Sequence, residues 1–253
     1  MKLFALLAYF ATVVSSSQLL LPLYIYPSAS AWEPVYNAIA GNPSVQFVII
    51  VNVNSGPGNK NVPAAWTTAL GNLTRYSNVR TVGYVYTNYG RRAINSVQAD
   101  IATYAGWSPN IAVDGIFFDE VSISSSNTRF NYMSTAANYV RSSISGATVL
   151  FNMGERPETT NYYNICDGIV VFENYYSQYR GQASITASVP AGFASKSGII
   201  IHDFKSSLST LRSQIHTLKV NGLQYIYFTS SPSYNSVAAP AAIGDVANAI
   251  ATA

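Results

Sequence analysis

The sequence predicts one closed (β/α)8 barrel spanning residues 18–253. Three observations carry that expectation. Eight short runs rich in Ile, Val, Phe and Tyr recur along the chain, and they are continuous rather than alternating. Strands covered by helices on both faces of a parallel sheet read this way. Segments with helical spacing separate the runs. No long linker or charge run divides the 253 residues, a length that suits a single barrel domain. A doubly wound open sheet is the alternative, but no Gly-rich dinucleotide fingerprint follows the first strand.

In chain order, the expected strands are Leu19–Tyr26, Val45–Val53, Thr81–Thr87, Val113–Asp119, Thr148–Asn152, Gly168–Glu173, Gly198–His202 and Gln224–Thr229. The clearest helices are Ala64–Leu73, Ala93–Tyr104, Arg129–Ile144, Leu208–Val220 and Ile243–Thr252. Those near Thr160–Ile165 and Ser177–Ala187 are short or weak. Asp114-Gly115 and Asp167-Gly168 open the fourth and sixth strands in the same way. Each is expected to be a turn at the N-terminal face of the barrel, where residues serve stability.

The first residues predict export. Lys2, the apolar stretch Leu3–Val14 and then Ser15, Ser16 and Ser17 have the layout of a signal peptide, residues 1–17, cleaved near Ser17–Gln18. The apolar stretch is too short to span a bilayer. The expected product is secreted, extracellular or wall-associated, and monomeric. The single Cys166 permits no internal disulfide, and it reads as a small buried hydrophobe. Asn72-Leu73-Thr74 is an acceptor for N-glycosylation.

Composition narrows the partners. Hydrophobic residues make up 49% and charged residues only 10%, against roughly 25% charged in an average soluble protein. The polar surface must come from Ser, Thr, Asn, Gln and Tyr, which suits neutral polymers. A formal charge of +3 without clustered Lys and Arg excludes a nucleic-acid binder. No spacing of Cys, His and acids predicts a metal, and no phosphate-cradling loop or Gly-x-Ser-x-Gly turn is present, so no cofactor is expected.

Eleven carboxylates are few enough to sort by elimination. Asp100 and Asp245 fall on amphipathic helices and read as solvated. Glu33 lies in a first helical turn, where the dipole favours it. Glu155 and Glu158 lie in a polar loop, and Asp114 and Asp167 sit at the wrong barrel face. Asp119, Glu120, Glu173 and Asp203 remain, each closing an apolar strand at its C-terminal end, where barrel enzymes keep their chemistry. Burying carboxylates there is costly unless they are paired or functional. Adjacent Asp119 and Glu120 repel, which raises one pKa as a general acid requires. The competing reading is ion pairing with Arg91, Arg92, Arg129 or Arg156, and for Asp203 it weighs as much as a functional one. The same strand ends carry Tyr26, Asn52, Tyr86, Asn152, Asn174, His202 and Tyr227, aromatic faces and amides suited to sugar rings and hydroxyls. Strand alternation lets only about half of such residues face inward.

The segment Asp114-Gly-Ile-Phe-Phe-Asp-Glu-Val121 resembles the spherulin-4 family. So do Leu21-Pro-Leu-Tyr-Ile-Tyr-Pro27, Phe47-Val-Ile-Ile-Val-Asn-Val-Asn54, Gly83-Tyr-Val-Tyr-Thr-Asn-Tyr-Gly90 and Val171-Phe-Glu-Asn-Tyr175. The resemblance runs from the first strand to the eighth. It implies the barrel of glycoside hydrolase family 135 and cleavage of α-1,4-linked N-acetylgalactosamine stretches in galactosaminogalactan, a polymer of fungal walls and biofilms. The family's acids match Asp119, Glu120 and Glu173. A non-catalytic wall or spore-coat protein that binds polysaccharide is the alternative.

Roles stay open at this point. Neighbours on a strand face opposite sides, so Asp119 and Glu120 do not both face inward in regular geometry. Aligning the two Asp-Gly starts sets Glu120 level with Glu173, whereas a turn immediately after Asp119 would favour Asp119. Asp119 is then a nucleophile with Glu173 as acid/base, or the substrate's 2-acetamido group is the nucleophile and one of the Asp-Glu pair orients it.

Overall fold

The computed structural model describes residues 17–28, 30–233 and 243–253. Residues 1–16, the body of the expected signal segment, lie outside the described residues. Among the described residues, no helix is long and apolar enough to cross a membrane.

Eight parallel strands close into a barrel in sequence order. They are β1 (Gln18–Leu23), β2 (Phe47–Val51), β3 (Val79–Tyr86), β4 (Gly115–Asp119), β5 (Thr148–Asn152), β6 (Gly168–Tyr175), β7 (Ser197–His202) and β8 (Tyr225–Phe228). The helices are α1 (Glu33–Gly41), α2 (Ala64–Leu73), α3 (Ile94–Ala105), α4 (Asn127–Ser143), α5 (Gln182–Ser188), α6 (Leu208–Val220) and α7 (Ile243–Thr252). A 3-10 turn, Thr160–Asn164, stands where the fifth helix would be, and α5 is short. The expected open-sheet alternative is thereby excluded. Several strands end earlier than their apolar runs, because Tyr24 to Tyr26 and Asn52 to Asn54 already belong to loops. β6 instead runs two residues beyond its expected end.

The registers assign each side chain to a face. Tyr84, Phe117, Leu150 and Gly168 are successive partners across β3 to β6, and residues level with one another share a face. That face is the interior, because a Cβ on Gly168 would strike the Tyr225 ring of β8 and the Leu150 side chain. A Cβ on Gly198 would also crowd Tyr225, 2.7 Å from its Cβ. These glycines make room for one large ring at the barrel floor. The outer face carries residues such as Phe118 and Phe151, fully buried under the helices.

Both Asp-Gly pairs sit at the N-terminal face, as expected. Asp114 Oδ2 accepts from the Thr81 N–H at 2.8 Å, and Asp167 Oδ2 from the Val149 N–H at 2.8 Å. Each aspartate thus fastens its strand start to a neighbouring strand. Cys166 is buried, and burial pushes its thiol up to about 12.

One irregularity determines the site. The β6–β7 register slips between Val170 and Phe172. Val170 pairs with the inward Gly198, Phe172 with the outward Ile199, and Glu173 with the inward Ile200. Strict alternation from Gly168 and Val170 would have turned Glu173 outward. The bulge absorbs Val171 and reverses the parity, so Glu173 faces the barrel mouth.

Candidate active site

The three acids meet in one pocket at the C-terminal face. Its volume is about 260 Å³, and Tyr89, Asp119, Glu120, Asn152, Met153, Gly154, Glu173 and His202 line it. A larger depression of about 400 Å³ lies between α1 and α2, with Glu33 as its one carboxylate. Of these two, only the smaller pocket brings Asp119, Glu120 and Glu173 together.

Asp119 is the last residue of β4 and faces inward level with Tyr86. Glu120 follows with φ +53°, outside the strand conformation. Regular alternation therefore stops at Asp119, and both carboxylates reach the pocket. This resolves the two-sidedness expected of a continuous strand. The expected levelling of Glu120 with Glu173 is overturned too, because the bulge consumes one residue of β6 and gives Glu173 the facing of Asp119. A left-handed, non-glycine residue is costly unless its surroundings enforce it. Here they do: the Glu120 carbonyl accepts from the Tyr89 N–H at 2.7 Å and from the Thr87 hydroxyl at 2.7 Å. The next N–H, of Val121, donates to the Asn152 carbonyl at 2.9 Å.

Asn152 joins the acids. Its Nδ2 donates to Asp119 Oδ1 at 2.8 Å and to Glu173 Oε2 at 2.5 Å. Its Oδ1 accepts from the Gly154 N–H at 3.1 Å, which fixes the amide with its nitrogen toward the acids. Two oxygens bound to one nitrogen lie at most about 5.3 Å apart, the two lengths laid end to end. The other oxygen of Asp119, Oδ2, accepts from the Tyr84 hydroxyl at 2.8 Å. Burial and then the Asp119 charge push the Tyr84 phenol far up, so it remains a proton donor. Glu120 and Glu173 add to that shift, which places all three charges around one ring.

Three of the four arginines weighed as ion-pair partners, Arg92, Arg129 and Arg156, are engaged elsewhere. Arg92 pairs with Asp100 at 2.7 Å and lies over the Tyr86 ring. Arg129 donates to the Gly90 carbonyl, and Arg156 to the Ala187 carbonyl. Asp100, expected to be solvated, is thus ion-paired and largely covered. Asp203 pairs with Lys205 at 2.6 Å, in line with its structural reading.

Of the polar residues expected to contact substrate, Asn152 and His202 line the pocket. Burial lowers the His202 pKa, keeping its ring neutral at pH 7. The others lie outside the pocket lining. Tyr227 faces inward but is 1% exposed, sealed beneath the mouth by the barrel's taper. Tyr86 is covered by Arg92. Asn52 Oδ1 closes its own loop by accepting from the Gly56 N–H. Asn174 Oδ1 accepts from the next N–H, of Tyr175. Tyr26 packs edge-on to Trp66, 6.2 Å between centroids. Sequence reasoning missed Tyr89, Met153 and Gly154 as lining residues and gave no role to the Tyr84 hydroxyl. Tyr84 was legible by parity, being the inward residue two before Tyr86. Tyr89 was not, since its placement depends on a turn.

Residues 18–250 match the profile of Spherulin4, the spherulation-specific family 4. The chain belongs to this family. Spherulin-4 of Physarum polycephalum is 34% identical over 223 residues, which cover 85% of this chain. The match spans 64% of that relative's length, less than two thirds. The crystal structure of Aspergillus clavatus Sph3 in complex with GalNAc superposes with a TM-score of 0.87 at 28% identity, covering 94% of this chain and 98% of that one. The GH18 chitinase ChiB of Flavobacterium johnsoniae has a TM-score of 0.61 at 8% identity, over 93% of this chain and 94% of its own, a likeness of fold alone. This member of the family is thus a closed (β/α)8 barrel with an acidic pocket at the strand C-termini.

Proposed function

We propose that this spherulin-4 family member is a glycoside hydrolase. The observation that carries the reading is the Asn152 bridge, which holds two carboxylates within about 5.3 Å at the catalytic end of a barrel. That upper limit falls short of the about 6.5–9.5 Å of inverting glycosidases and suits the closer pairing, about 5–5.5 Å, of retaining ones. Further support comes from the 28% identical Sph3, whose crystal structure holds GalNAc. The finer reading is endo-cleavage of α-1,4-linked N-acetylgalactosamine stretches of a wall or biofilm polysaccharide by a secreted, monomeric enzyme. Glu173 is the acid/base, protonating the leaving oxygen and then activating water. Asp119, across the bond, is the nucleophile. No metal or cofactor is required by this chemistry.

One observation favours a second mechanism. Both oxygens of Asp119 already accept hydrogen bonds, from Tyr84 and Asn152. A carboxylate so tethered suits orienting the substrate's 2-acetamido group, which would then attack the anomeric carbon itself. The deciding experiment for the function is incubation of the pure protein with a panel of wall polysaccharides, with released oligosaccharides identified by mass. Binding without release would favour a non-catalytic wall protein.

A further inference from the structure

We infer that Tyr89, on the β3 side of the acidic pocket, and Tyr175, on its β6–β7 side, are sugar-stacking platforms that hold the units neighbouring the cleaved bond. The inference rests on the hydrolase reading and names what that site holds beyond the cleaved bond.

Among the described residues, three tyrosines are strongly exposed: Tyr26, Tyr89 at 49% and Tyr175 at 46%. Tyr89 and Tyr175 flank the acidic pocket. Tyr89 follows β3 and lines the pocket beside Asp119 and Glu120. Tyr175 ends β6 level with His202 of β7, with the two ring centroids 4.6 Å apart. Going round the barrel from Tyr89, Asp119 of β4 and Asn152 of β5 come before β6, where Glu173 stands two residues before Tyr175. The bulge at Val171 that turns Glu173 inward also sets Tyr175 on that face, one inward position above it.

Tyr89 is held at a cost. Asn88, Tyr89 and Gly90 have φ of +48°, +54° and +72° in succession. Asn and Gly adopt this conformation readily, so the strain falls on Tyr89. The turn is enforced from several sides. The Tyr89 N–H donates to the Glu120 carbonyl at 2.7 Å, the Arg91 N–H to the Asn88 carbonyl at 2.8 Å, and Arg129 to the Gly90 carbonyl. An aromatic ring left half in solvent gains little from this arrangement. The same ring gains a great deal if a sugar face covers it. Strain maintained around an exposed ring at a pocket edge points to ligand contact.

The test compares wild type with Tyr89→Ala, Tyr175→Ala and Tyr89→Gly on a ladder of α-1,4-linked N-acetylgalactosamine oligosaccharides. Each Ala variant should raise KM for long members about tenfold, more than it lowers kcat, and have less effect on the shortest member cleaved. Tyr89→Gly relieves the strain, so it should weaken substrate handling while raising Tm by about 2–4 °C. Unchanged KM on long members, or a lower Tm for Tyr89→Gly, would overturn the inference. If wild type cleaves nothing, calorimetry of the longest oligosaccharide on Glu173→Gln, with and without each Tyr→Ala change, separates the two ideas. Binding weakened by the tyrosine changes keeps the platforms and defeats the hydrolase reading. Binding indifferent to them, or absent altogether, defeats the platforms.

Discussion

Asp119 and Glu173, on alternate strands of the barrel, accept hydrogen bonds from the same nitrogen, Nδ2 of Asn152. That shared donor sets their separation, and the chemistry open to the pocket follows from it. Strands two apart are about 9–10 Å distant along a barrel wall, at 4.7–4.9 Å per neighbour. Inward-leaning side chains close that gap here because the intervening strand supplies a short amide that reaches both.

Glu173→Gln and Asp119→Asn should fold normally and lose about 10²–10⁴-fold in kcat. Circular dichroism and turnover on galactosamine polymer check this together. Turnover near wild type in either variant would show that the chemistry does not use that acid.

Asn152 should behave as a positioning residue. Asn152→Ala frees the carboxylates and is expected to lower kcat by up to about 10²-fold. Asn152→Asp places a third negative charge beside both acids. Like charge disfavours ionisation, so the acid limb of the pH–rate profile should move to higher pH. A profile that stays in place with an equal loss of rate would show that Asn152 acts only through packing.

The acid spacing predicts retention. Proton NMR of the first-formed product should show the α anomer. An inverted product would defeat both the nucleophilic and the acetamido mechanisms. A substrate with unacetylated 2-amino groups separates these two: cleavage at a comparable rate leaves Asp119 as the nucleophile, and its loss favours the acetamido group.

Asp114→Asn tests the opposite face. It weakens the tie to the Thr81 N–H, at an exposed position. The cost should be about 1 kcal/mol, a Tm lower by about 2–4 °C, with kcat per folded molecule unchanged. A folded but inactive variant would show that the chemistry lies at the N-terminal face.

Much of this protein was legible in its sequence. Continuous apolar runs between helical segments specify a parallel sheet covered on both faces, and eight such units close into a barrel. The scarcity of charge made each strand-end acid conspicuous, so elimination left Asp119, Glu120, Glu173 and Asp203, and the family resemblance singled out the first three. Their mutual arrangement was not legible, since period-two alternation predicts that Asp119 and Glu120 diverge, and the matching Asp-Gly starts set Glu173 level with Glu120 rather than with Asp119. Two departures from regular geometry reverse both expectations: the left-handed Glu120, held by Thr87 and Tyr89, and the bulge at Val171. The sequence by itself determined the barrel and which acids stand at its mouth, because burial and periodicity are properties of each segment. Only the tertiary structure decided that Asp119 and Glu173 converge on Asn152 with Glu120 beside them, because a bulge and an enforced positive φ arise from hydrogen bonds that neighbouring strands and loops supply.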